Sequence, residues 1–115
     1  MTLIYKIISR TEWAAACAVG EFVGAEIDLA DGFIHFSTAE QVRETANKHF
    51  TGRSDLLLLS VDCDRLGDAV KWEPSRGGDL FPHLYDMLQV ADVMQVDEMN
   101  LNGAGQHVFP ASIPN

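Results

Sequence analysis

Apolar positions along the chain fall into runs and stripes that predict an ordered series of elements. Residues 3–8 form a short, β-branched apolar run, which predicts a strand. Ser9 and Glu12 follow at capping-box spacing, Trp13, Ala16 and Cys17 recur at helical spacing, and Gly20 closes the segment. A helix is therefore expected over about 10–18. Residues 20–32 carry three glycines and several acids and read as a long loop with one short extended piece. Residues 33–36, FIHF, read as a second strand. Ser37 and Glu40 make a second capping box, and Val42, Thr45, Ala46, His49 and Phe50 lie on one helical face that Gly52 ends. This strand is expected to run straight into a helix N-terminus.

Residues 55–62, DLLLLSVD, are nearly continuously apolar, as in a strand buried on both faces. Residues 69–74 read as its hairpin partner across an RLGD turn, and 75–79 as a flexible loop. Pro82 interrupts residues 80–86 and assigns that strand to an edge or a bulge. Residues 91–99 alternate as a half-buried strand does, LNGAG forms a turn, and QHVFPASI is a last extended piece. Two helices and roughly six strands give an α+β domain, and 115 residues suit a single one spanning 1–115.

Charge narrows the partners. Eight Lys and Arg against 17 Asp and Glu give a formal charge of −9, which repels a phosphate backbone. No apolar run is long enough to cross a membrane, and the start of the chain lacks the pattern of a signal peptide. Cys17 and Cys63 stand apart, without zinc-ligand spacing, and read as reduced thiols of a cytoplasmic protein. No metal is expected.

Two stretches concentrate chemistry. In the first, His35 sits in an aromatic strand before Ser37 and Thr38, where helix amides would favour an anion or a ribose. Equally, His35 reads as a satisfied core histidine, Ser37 as an N-cap and Thr38 as a first-turn residue. The second is WEPSRGGDLFPHLY, residues 72–85. Gly77 and Gly78 would let a ligand approach the backbone, and Arg76 offers a planar fork for phosphate or carboxylate. His83 and Tyr85 share a strand face, where a ring can stack on a heterocycle and a histidine can bond a hydroxyl. A hairpin loop with a surface ion pair is the structural alternative. His49 reads as packing on its helix, His107 as exposed, Asp28 and Asp31 as solvated loop acids, and Met87, Met94 and Met99 as core filling. There is no GxGxxG, P-loop, GxSxG or HExxH.

DLADGFIHFSTAEQV and KWEPSRGGDLFPHLY, with the IYKI opening and HVFP near the end, resemble the bacterial domain of unknown function 952 family over nearly the whole chain. That family is grouped with the ADP-ribosyltransferase-like fold. The resemblance implies two small, mostly antiparallel sheets forming a cleft for NAD, with two main helices outside. It implies a ribose-orienting role for His35, with the Phe36 backbone nearby, and a stacking role for Tyr85. It implies a catalytic acid too, best matched by Glu98 and next by Glu73. The expected function is a cleft for NAD or a related nucleotide, with Arg76 at the pyrophosphate and His83 as a second ribose contact or general acid/base. ADP-ribosyl or related glycosyl transfer would make NAD a substrate. A non-catalytic module for a small anionic or nucleotide ligand and a phosphotransferase or hydrolase using His35 and His83 are the alternatives. The expected partner is this small ligand, with neither membrane nor nucleic acid, and the chain a monomer or small homo-oligomer.

Overall fold

A computed structural model describes residues 1–114. The N-terminal expectations hold closely. Strand β1 spans Leu3–Ser9 and helix α1 spans Arg10–Val19. The capping box forms: the Glu12 amide donates to Ser9 Oγ at 3.1 Å, and the Ser9 amide donates to Glu12 Oε1 at 3.3 Å. Gly20, at φ 93°, supplies the left-handed residue that ends α1.

Residues 20–32 are more ordered than a loop. They hold strand β2, Glu21–Phe22, and helix α2, Glu26–Asp31. The Asp28 carboxylate accepts from the Ala25 amide at 2.8 Å, and Gly32, at φ 85°, turns the chain out of α2. This six-residue helix is too short to leave a periodic stripe, so the sequence pattern conceals it.

The next strand, β3, is only Ile34–His35, and helix α3 is Val42–His49. The Ser37–Glu40 box does not form. Capping shifts by one residue: the Thr38 amide donates to Gln41 Oε1 at 3.0 Å, and the Val42 amide to the Thr38 carbonyl at 3.1 Å. Ser37 instead bridges to Tyr5 through backbone bonds of 2.8 and 2.9 Å.

Strand β4, Leu56–Asp62, is the predicted doubly buried strand. It pairs antiparallel with β1 on one side and with β8, Val93–Met99, on the other. One face of this sheet packs Ile4, Ile8, Leu57, Leu59 and Val61 against Phe22, Phe36 and Leu84; the other packs Tyr5, Ile7, Leu56 and Leu58 against Val42 and Ala46. The RLGD segment is not a hairpin turn: Cys63–Leu66 form a helical turn, α4, and Gly67–Ala69 a 3-10 turn. They carry the chain away to a second antiparallel sheet of order β3-β6-β5, where β5 is Val70–Pro74 and β6 is Leu80–Leu84. Thus β5 pairs with β6, not β4. A two-stranded pair joins β2 to β7, Leu88–Gln89.

Pro82 sits in the central strand of the second sheet, opposite Trp72 on one side, which corrects the edge assignment. On the other side its carbonyl accepts from the Phe36 amide at 3.1 Å. Lacking an N–H, proline cannot return that bond. The β3–β6 ladder therefore stops at His35, and the chain is free to cross to Tyr5 on the first sheet. Residues 34–37 thereby stitch the two sheets together.

Of the methionines, Met99 is buried, while Met87 and Met94 are exposed. His107 is buried, its Nε2 2.9 Å from the Arg53 carbonyl, and His49 is exposed; both reverse the sequence expectation. Cys17 and Cys63 are free thiols. No helix among the described residues is long and apolar enough to cross a membrane.

Candidate functional site

The stitch creates a cleft of about 780 Å³ along the edge of β1 that Ser37 bridges. Lys6, Asp31, His35, Ser37, Arg76 and His83 are among the residues lining it. His35 and His83 lie directly opposite each other in the β3–β6 pairing, with ring centroids 5.6 Å apart.

His35 is fixed by acids that read as solvated in the sequence. Asp28, only 1% exposed, accepts from the His35 amide at 3.1 Å and lies 2.6 Å from its Nδ1. The same carboxylate meets Lys6 Nζ at 3.0 and 3.1 Å. Lys6 is the one polar side chain in β1 that points into the Ile4 and Ile8 face. Burial pushes its ammonium pKa down, and the Asp28 charge opposes that shift. For Asp28, burial works to raise the carboxyl pKa. The His35 bond, the Lys6 charge and the amides of Ala25 and His35 outweigh it and hold the group at about 2. The other ring nitrogen of His35, Nε2, lies 2.9 Å from Asp31 Oδ2.

His83 is buried, and its Nδ1 lies 2.8 Å from Glu73 Oε1. The Tyr85 hydroxyl donates to the same oxygen at 2.7 Å, so His83 and Tyr85 share a face as their spacing requires. The Tyr85 bond, and then the His83 bond, lower the Glu73 pKa, and Glu73 raises that of Tyr85. Tyr85 lies beyond the end of β6 and lines a second cavity, of about 340 Å³, instead of the cleft. Phe33 stands between: its ring stacks on His83 at 4.0 Å and lies 4.6 Å from His35 and 5.2 Å from Tyr85.

Arg76 reaches the cleft, with Nε 3.4 Å from Glu44 Oε1 and its guanidinium 5.0 Å from the Phe81 ring centre. Phe36 and Ser37 line the cleft from its floor, both buried, with Ser37 Oγ 3.0 Å from Thr45 Oγ1. Thr38, Gly77 and Gly78 do not line it; the two glycines shape the exposed turn between β5 and β6, at φ 70° and 82°. Glu98 is on the far strand β8, 62% exposed and 3.3 Å from Arg10, so it is outside the cleft. Sequence reasoning missed Lys6, Asp28, Asp31 and Phe33 as parts of the site. For Lys6 a signal existed, a lone ammonium in an apolar strand; the other three gave none. Among the described residues, no group of three or more His, Cys, Asp or Glu side chains is arranged to hold a metal ion.

Among curated proteins, none matches the chain. Two solved structures are similar over nearly its whole length. Both are of protein CC0527 from Caulobacter crescentus. The crystal structure is 52% identical, with a TM-score of 0.90 over 93% of this chain and 94% of that one. The solution NMR structure is 54% identical, with a TM-score of 0.84 over 92% and 91%. The DUF952 family, a protein family of unknown function, matches residues 7–96, and on this match the chain belongs to the DUF952 family.

Proposed function

We propose that this protein binds a small nucleotide-like ligand, of the NAD and ADP-ribose class, in the cleft between its two main sheets. The observation that carries the reading is the facing pair His35 and His83 in a cleft that Arg76 also lines. Two imidazoles offer hydrogen bonds to ribose or phosphate oxygens, and a guanidinium matches phosphate geometry. A volume of about 780 Å³ falls within the range of small-molecule sites. The arrangement of small antiparallel sheets around a cleft fits an ADP-ribosyltransferase-like architecture, working in the cytoplasm.

Calorimetric titration with NAD and ADP-ribose tests the proposal. Wild type should bind at least one of them, and His35→Ala should weaken that binding about tenfold or more, the worth of one charge-assisted hydrogen bond. No binding of either at millimolar concentration removes the nucleotide reading.

The position of Glu98 favours a binding module over a transferase. Its carboxylate faces Arg10 outside the cleft, and Glu73, the second match, is held by His83 and Tyr85 and does not line the cleft either. Incubation with NAD should then release no nicotinamide above the buffer rate. Release by wild type that His35→Ala abolishes would restore the transferase reading, with NAD as substrate.

A further inference from the structure

Helix α2 presents two carboxylates to one histidine, and they differ in kind. Asp28 is buried and accepts five hydrogen bonds: two from Lys6, one from Ala25, and two from the backbone and ring of His35. It is committed to the fold. Asp31, with a 43% exposed side chain, makes a single side-chain contact, its Oδ2 at 2.9 Å from His35 Nε2. A carboxylate oxygen only accepts, so both contacts form together only when both ring nitrogens carry hydrogen. Asp28 thus holds Nδ1 inward and leaves Nε2 turned to the cleft, where Asp31 Oδ2 faces it.

From this we infer that Asp31 holds the place of a ligand oxygen, and that the subsite at His35 Nε2 takes a negatively charged acceptor, a phosphate or carboxylate oxygen. The ligand enters by displacing Asp31 from the ring while Asp28 stays in place. Arg76, which also lines the cleft, repeats the arrangement, with exposed Glu44 at 3.4 Å from its Nε. Each of these cleft side chains is thus met by an exposed carboxylate, which a bound anion would replace. The inference deepens the proposed function, because it names the group that meets His35, but it does not need the ligand to be a nucleotide.

The test uses inorganic pyrophosphate as probe and compares Asp31→Ala with Glu26→Ala. Both remove one negative charge from α2 and both line the cleft, but Glu26 makes no contact with His35. Asp31→Ala should tighten pyrophosphate binding about tenfold, by freeing His35 Nε2 for a bond to a charged oxygen. Glu26→Ala should tighten it by no more than about two- to fivefold, as one exposed charge does. Pyrophosphate should also shift the His35 side-chain nitrogen resonances in Asp31→Ala. Equal gains in the two variants, no gain in either, or no binding by Asp31→Ala overturns the inference. If NAD and ADP-ribose fail to bind wild type while Asp31→Ala alone gains pyrophosphate affinity, the nucleotide class falls and the anion subsite stands.

Discussion

Asp28 carries more than any other side chain in this protein. It neutralises a buried lysine, orients a cleft histidine and ties down the start of α2. Removing one partner of a buried ion pair leaves the other unsatisfied, at a cost of about 3–5 kcal/mol. Asp28→Ala should lose stability on that scale in urea denaturation, and adding Lys6→Met should recover part of it by removing the stranded charge. The pair also sets an acid limit. The Asp28 pKa is about 2 in the folded chain, below the ordinary carboxylate value near 4. Its contribution is therefore complete above about pH 4 and is lost as pH falls through about 2, roughly 2 kcal/mol in all. Urea midpoints between pH 6 and pH 2 should fall more steeply for wild type than for Asp28→Asn. Parallel curves would show that Asp28 gains nothing from its partners.

The elements differ in how plainly their residues announce them. Helix α1 is specified locally by Ser9, Glu12 and Gly20, and Ser9→Ala should cost about 1 kcal/mol in thermal or urea unfolding. An unchanged midpoint would mean that tertiary packing, not the cap, sets that boundary. Strand β4 was equally legible, because only burial on both faces explains four consecutive leucines. The remaining pairings were not. A continuous apolar strand accepts any partner, so nothing in residues 69–74 distinguished pairing with β4 from pairing with β6. Pro82 misled for a physical reason. The rule that proline avoids central strands assumes a neighbour that needs its N–H, and here the neighbouring ladder ends at His35. The candidate site was half legible. His35, His83 and Arg76 were visible as unusual residues, and they do share a cleft. Asp28 and Asp31 stayed hidden because α2 is a single short turn and a half. Glu98 was misplaced because an acid on an alternating strand does not reveal which cleft, if any, it faces.

Across the whole molecule, the formal charge of −9 repels a phosphodiester chain on average. Fluorescence anisotropy with labelled duplex DNA should show no saturable binding even at low salt; binding with a steep salt dependence would contradict this. The stitch through residues 34–37 has a consequence for how the protein is made. Its Tyr5–Ser37 half joins segments from early in the chain, but its His35–His83 half waits for β6, more than 40 residues later. With synthesis at about 5–20 residues per second, several seconds separate the emergence of the two walls. The two walls of the cleft thus meet only after β6 is made, and a chain interrupted before residue 80 would carry its first histidine with nothing to face.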